Sequence, residues 1–113
     1  MTASVERDKA RIDQWLWFAR LAKTRSLAGK LCAASAVSIN GTAVVKANQA
    51  VRVGDIIAVP QGGWRRTVRV LALGIRRGPA VEARLLYEET AEPARLAENA
   101  IWEPLLEPDV SRE

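Results

Sequence analysis

A chain of 113 residues, 49% of them hydrophobic, fits one domain and can bury a core without disulfides or metals, with no room for a second folded unit. Its single cysteine, Cys32, lies in an apolar stretch, which excludes an intrachain disulfide framework and predicts a small buried core residue in a reducing compartment. Charge is uneven: residues 1 to 87 carry a formal +10 and residues 88 to 113 a formal −6, a basic body with an acidic tail, and such a body favours polyanions, either nucleic acid or an anionic membrane surface.

The stretch from Met1 to Arg11 is charged and polar, and nowhere do about 18 uninterrupted apolar residues occur, so a soluble, cytoplasmic protein without membrane partners is expected. From Arg11 to Ala22 the apolar residues Ile12, Trp15, Leu16, Ala19 and Ala22 recur at helical spacing and predict a helix with one buried stripe. Asp13, Trp17 and Arg20 project onto the opposite face, which makes Trp17 a candidate for surface contact and Asp13 a solvated carboxylate. The segment Lys23-Thr24-Arg25-Ser26 interrupts the pattern. Thr24 is suited to cap a second helix whose stripe is Leu27, Ala28, Leu31 and Ala34.

After Ser35 the pattern becomes β-like. Val37 and Ile39 alternate with Ser38, and Asn40-Gly41 supplies the positive φ of a tight turn between short strands. Val53-Gly54-Asp55 reads as a turn before a strand at Ile56 to Val59; further strands are expected at Val68 to Leu73 and Val81 to Leu86, separated by Gly62-Gly63 and by Gly74 through Pro79. Beyond Tyr87 the composition changes, and Pro93 is placed to open a short helix carrying Leu96 and Ala100 before Pro104 and Pro108 disrupt order. The division expected is a domain over residues 10 to 87 and an acidic tail over 88 to 113, partly helical or disordered.

The strongest candidate site is the entry to the second helix. Arg20, Lys23 and Arg25 cluster where free backbone N–H groups and the helix dipole also attract phosphate. Ser26 and Thr24 add hydroxyls, and Lys30 lies one turn further along. A second basic set, Arg65, Arg66 and Arg69, follows Gly62-Gly63-Trp64, and Arg76 and Arg77 occupy the next turn; both sets would extend a phosphate-binding surface. Alternation along a strand puts Trp64 and Arg65 on opposite faces, so stacking and charge contact there need not serve one ligand. Catalytic constellations are scarce: the chain has no histidine, and between residues 11 and 87 its carboxylates are Asp13, Asp55 and Glu82, which form no recognisable pair. Asp55 is better explained by turn chemistry, and Cys–His metal-ligand spacing is missing altogether.

The run RIDQWLWFARLAKTRSLAGKLCAASAVSING, residues 11 to 41, resembles the S4 RNA-binding domain of ribosomal, tRNA-synthetase and pseudouridine-synthase proteins. The DQWLWFAR helix, the KTRSLA segment, Asn40-Gly41 with Lys46 beyond, and LLYEETAE at residues 85 to 92 are similar to the heat-shock protein 15 family. The resemblance implies an α+β, S4-type (αL-like) fold, two N-terminal helices on a small, bent, mostly antiparallel sheet with a C-terminal extension. It also implies RNA-binding roles for Arg11, Arg20, Lys23, Thr24, Arg25, Ser26, Lys30, Asn40 and Lys46, with Trp17, Arg65, Arg66, Arg76 and Arg77 as additional contacts. Where the S4 pattern commonly has a glycine and two basic residues before Asn40-Gly41, this chain has Ser35, Ala36 and Ser38; where the family often has a longer basic C-terminal extension, residues 88 to 113 here are acidic.

The function so implied is non-catalytic binding of structured RNA: ribosomal RNA of the large (50S) subunit, with tRNA a further partner, in a stress-response setting where subunits still holding a nascent chain on tRNA are recycled. No cofactor is required. DNA is a further polyanion such a surface would accept. The alternatives are an S4-containing protein-interaction module, in which the acidic tail covers the basic face or docks a protein, and an accessory fragment of an RNA-modifying enzyme.

Overall fold

A computed structural model describes residues 8–95. Leu96, Ala100, Pro104 and Pro108, named in the expectation for the tail, lie outside the described residues.

Strand β1 (Ala10–Arg11) pairs antiparallel with β4 (Ala50–Val51) and leads directly into helix α1 (Ile12–Phe18). The helix is shorter than the Arg11-to-Ala22 periodicity predicts. After the cap at Ala19, Arg20 turns to φ +60°, its N–H donates to Trp17 O at 3.1 Å, and the Leu21 N–H reaches Leu16 O at 2.9 Å. This paired closure is the Schellman motif, and it brings the apolar residue after the turn against the last helical layer. Leu21 and Ala22 therefore stay buried beside Leu16 although they are no longer helical.

Helix α2 (Arg25–Ala33) starts as the sequence predicts, with Thr24 Oγ1 accepting the Leu27 N–H at 2.9 Å, and it buries Ala28, Leu31 and Cys32. It ends in a second Schellman closure. Ser35, at φ +59°, donates to Cys32 O at 3.0 Å, and the Ala36 N–H donates to Leu31 O at 2.9 Å.

The main sheet contains β2 (Ser38–Ile39), β3 (Thr42–Ala43), β5 (Ile56–Gln61), β6 (Trp64–Val70), β7 (Tyr87–Glu89) and β8 (Ala94–Arg95). Its order is β3-β2-β5-β6-β7, with β8 also pairing β6, and every pairing is antiparallel. Asn40 and Gly41 both have positive φ, as their turn requires. The Asn40 side chain then ties the turn to β5: Oδ1 accepts the Ile56 N–H at 2.9 Å and Nδ2 donates to Asp55 Oδ1 at 3.1 Å. Asp55 Oδ2 accepts the Arg52 N–H at 2.9 Å, which is the turn chemistry expected of it.

Three expectations are corrected. Strand β6 begins at Trp64 rather than Val68, because Gly62 and Gly63, both at positive φ, close a tight hairpin in which Gln61 faces Trp64. The segment Val81 to Leu86 is not a strand. It forms α3 (Ala80–Ala83) and a 3₁₀ turn (Arg84–Leu86), in which Ala83 and Leu86 at i, i+3 face the core while Val81 and Leu85 are 68% and 71% exposed. Pro79 just before good helix formers explains the choice. Pro93 does not open a helix at the described residues either: Ala94 and Arg95 pair as a strand with Arg65 and Trp64.

The core lies between the two helices and one face of the sheet, where Ile12, Trp15, Leu16, Leu31, Ile57, Val59, Val68 and Val70 are fully buried. Each such side chain stabilises the fold by about 1.5–3 kcal/mol relative to exposure. Trp15 also satisfies its indole N–H, which donates to Ala72 O at 2.9 Å and joins α1 to the chain leaving β6. Among the described residues no helix is long and apolar enough to cross a membrane.

Candidate nucleic-acid interface

The α1–α2 corner gathers most of the basic residues singled out in the helical segment. Asp13 organises them. Expected to be solvated, it is 5% exposed, and its carboxylate accepts from Arg11 Nε at 3.1 Å and Nη2 at 3.0 Å, with Arg25 Nε 3.6 Å away. Arg11 and Arg25 remain substantially exposed, so one buried anion fixes the stems of two surface cations. The carboxylate also occupies the first turn of α1, where the helix dipole favours negative charge.

The loop carrying Lys46 is held against the same corner. The Ile12 N–H donates to Gln49 O at 2.8 Å and the Asp13 N–H to Ala47 O at 3.2 Å, so the loop satisfies the first amides of α1. Gly29 on α2 faces that loop at ordinary contact distance: a Cβ there would stand 3.8 Å from Ala47 Cβ. Lys30 and Lys46 are the chain neighbours of that contact, and the side chain of neither has a partner among the described residues. Beside β1, a cleft of about 360 Å³ lined by Lys9, Arg11, Gln14 and Asn48 continues this surface. Lys9 could have been suspected from its charge next to Arg11; Gln14 and Asn48 gave no signal.

At the other end of the corner two arginines lock the turn. Arg20 Nε donates to Gly78 O at 2.9 Å, while Arg77 donates from Nε to Trp17 O at 3.1 Å and from Nη2 to Lys23 O at 3.3 Å. The Arg77 guanidinium also lies 5.6 Å from the centre of the Trp17 ring, and Trp17 packs partly buried against the core. Trp17 is thus covered by an arginine of its own chain. Arg77 belongs with the helical corner rather than with Arg76, which is bound to Glu82 at 2.8 Å.

The second basic set is not brought together. Alternation sends Arg65 and Arg69 to the outer face of β6 and Arg66 to the face that packs under the helices. Arg69 pairs with Glu88 at 2.8 Å across the strand. Arg66 bonds Glu89, donates to Gln61 Oε1 at 2.7 Å and lies over the Tyr87 ring. Burial alone would lower its pKa, but Glu89 and Tyr87 outweigh that and raise it. Asn40 is set apart functionally too, since its amide is consumed in the turn.

Cys32 offers no nucleophile. Burial, assisted by the negative charge of Asp13, pushes its thiol up to about 12.

Two helices on an antiparallel sheet with a basic corner between them define an S4-type protein. The S4 domain family model matches residues 10–57, and the α+β architecture agrees with it. The chain is 35% identical over 94 residues to the heat shock protein 15 homolog of Haemophilus influenzae, covering 83% of this chain and 71% of that protein. It is 44% identical over 84 residues to heat shock protein 15 of Escherichia coli strain K12, covering 74% and 62%. A trimeric solved structure of heat shock protein 15 from Vibrio cholerae aligns with a TM-score of 0.69 at 38% identity, covering 74% of this chain and 83% of that one. The chain belongs to the heat shock protein 15 family and is an RNA-binding protein.

Proposed function

We propose that this protein binds structured ribosomal RNA of the large (50S) subunit without catalysis, and that it assists the recycling of subunits that still hold a nascent chain on tRNA. The observation that carries this reading is the α1–α2 corner, where Arg11 and Arg25 are braced by one buried carboxylate and Lys30 and Lys46 stand without partners among the described residues. In this reading Lys23, Arg25, Lys30 and Lys46 neutralise phosphates, Ser26 and the first amides of α2 donate to phosphate oxygens, and Arg11 extends the contact beside the Lys46 loop. Thr24, Arg20 and Asn40 shape the surface: Thr24 caps α2, Arg20 closes α1 and Asn40 holds its turn. Selectivity then comes from fit to helical RNA shape more than from base edges, and neither cofactor nor metal takes part. A cytoplasmic location goes with such a target.

Co-sedimentation with separated ribosomal subunits over a salt series tests this reading. The wild type is expected to associate preferentially with large subunits in a salt-sensitive manner, and a Lys23→Ala, Arg25→Ala double variant to lose that association. No association of the wild type with large subunits would reject the target, and an unchanged double variant would reject the surface. Incubating RNA with the protein and analysing its nucleosides checks the non-catalytic claim; any change in mass or chromatographic position would overturn it.

A further inference from the structure

We propose that the cleft beside Trp64 is a second RNA subsite that takes an unpaired nucleobase next to the phosphate-binding corner, an inference that rests on the RNA-binding function proposed above. The face of β5 and β6 that buries Ile57, Val59, Val68 and Val70 under the helices continues past them, and at its projecting end carries Gln61, Trp64 and Arg66. With Glu92 and Pro93 these residues line an open cleft of about 490 Å³, within the range of sites that hold small ring compounds.

Trp64 is 43% exposed, whereas Trp15 is fully buried and Trp17 is partly buried under Arg77. Arg95, its cross-strand partner, places its guanidinium 5.6 Å from the ring centre, which steadies the indole as a platform. An exposed indole steadied by an arginine is the arrangement on which bases stack with little regard to sequence. The polar lining selects a base rather than a phosphate. Arg66 is already bound to Glu89, and the Glu92 carboxylate would repel a phosphate but can accept from the amino or imino N–H of a base.

The cleft is also connected to the corner. Gln61 Nε2 donates to Arg20 O at 3.0 Å while its Oε1 accepts from Arg66, so the shelf abuts the turn between α1 and α2.

The test compares binding of a blunt RNA duplex with binding of the same duplex carrying a short single-stranded extension. Wild type is expected to prefer the extended RNA. Trp64→Ala should remove that preference, a loss of roughly ten-fold or more, while Trp64→Phe keeps most of it and all three proteins bind the blunt duplex alike. The subsite is overturned if wild type binds both RNAs equally, if Trp64→Ala leaves the preference intact, or if that variant, shown folded by circular dichroism, loses affinity for both RNAs in the same proportion. Failure of wild type to bind either RNA would remove the RNA-binding function itself, a result distinct from all three.

Discussion

The helical corner and the β5–β6 hairpin are both rich in basic residues, yet their cations are held in different ways. On the hairpin side the acids arrive by strand pairing. Strand β7 runs antiparallel to β6, so Glu88 and Glu89 fall opposite Arg69 and beside Arg66, and Glu82 on α3 meets Arg76. Arg65 alone among the arginines of that set has no partner among the described residues. At the corner the nearest carboxylate is Asp13, and it sits beneath the surface, holding Arg11 and Arg25 from below while their charge faces outward. Density of arginine therefore does not by itself say which cations are free to meet a polyanion; the placement of the acids does.

The largest expected effect is on the element that joins the two regions. Trp15→Ala removes a fully buried ring and its hydrogen bond to Ala72 O, and should cost about 3–5 kcal/mol in urea unfolding. A loss under about 1 kcal/mol would mean that corner and sheet are less tightly joined than described.

Alkaline pH probes the corner's buried side. The folded-state pKa of Cys32 is raised to about 12 from 9.0, so the folded protein keeps the thiol protonated while the unfolded chain ionises. The resulting stability is complete below pH 9 and is lost as the pH climbs from 9 toward 12, by up to about 1.4 kcal/mol per pH unit. The difference in unfolding free energy between wild type and Cys32→Ala should therefore be constant below pH 9 and shrink above it. A difference that stays flat to pH 11 would show that the thiol is accessible to solvent.

Releasing a hairpin arginine should blur the contrast between the regions. The Arg69–Glu88 pair is exposed on both sides and is worth only about 0–1 kcal/mol, so a Glu88→Gln variant should fold while freeing Arg69. RNA affinity is then expected to rise several-fold at low salt, with a log–log salt slope steeper by about one unit for each cation that finds a phosphate. An unchanged slope would place the outer face of β6 outside the reach of RNA phosphates. The smallest effect concerns the strained end of α2: Ser35→Gly should stabilise by about 0.5–1 kcal/mol, because glycine adopts the positive φ there without a Cβ penalty.

What was legible in the sequence was what depends on neighbours in the chain. Thr24 as a cap, Asn40-Gly41 as a turn and the stripes of Ile12-Trp15-Leu16 and Ala28-Leu31 all follow from local spacing, and the structure has each of them. Residues 80–86 misled because Val81, Leu85 and Leu86 have strand-like character, whereas only Ala83 and Leu86 are buried, at helical spacing. Non-glycine residues at positive φ, Arg20 and Ser35, hide the ends of both helices from a reader who looks for glycine. The basic corner was visible as a charge cluster, but its organisation was not. Asp13 is drawn to Arg25 twelve positions away, Arg77 reaches Trp17 across sixty, and Arg66 meets Glu89 through strand pairing, none of which local periodicity encodes.

The most direct test of the central claim is the salt dependence of RNA affinity for two double variants beside the wild type. Lys30→Ala, Lys46→Ala should weaken binding and reduce the log–log salt slope by roughly one to two units, while Arg69→Ala, Arg76→Ala should leave both unchanged. The reverse pattern, with the slope lost from the Arg69, Arg76 variant and kept by the corner variant, would contradict the assignment of the α1–α2 corner as the RNA-binding surface.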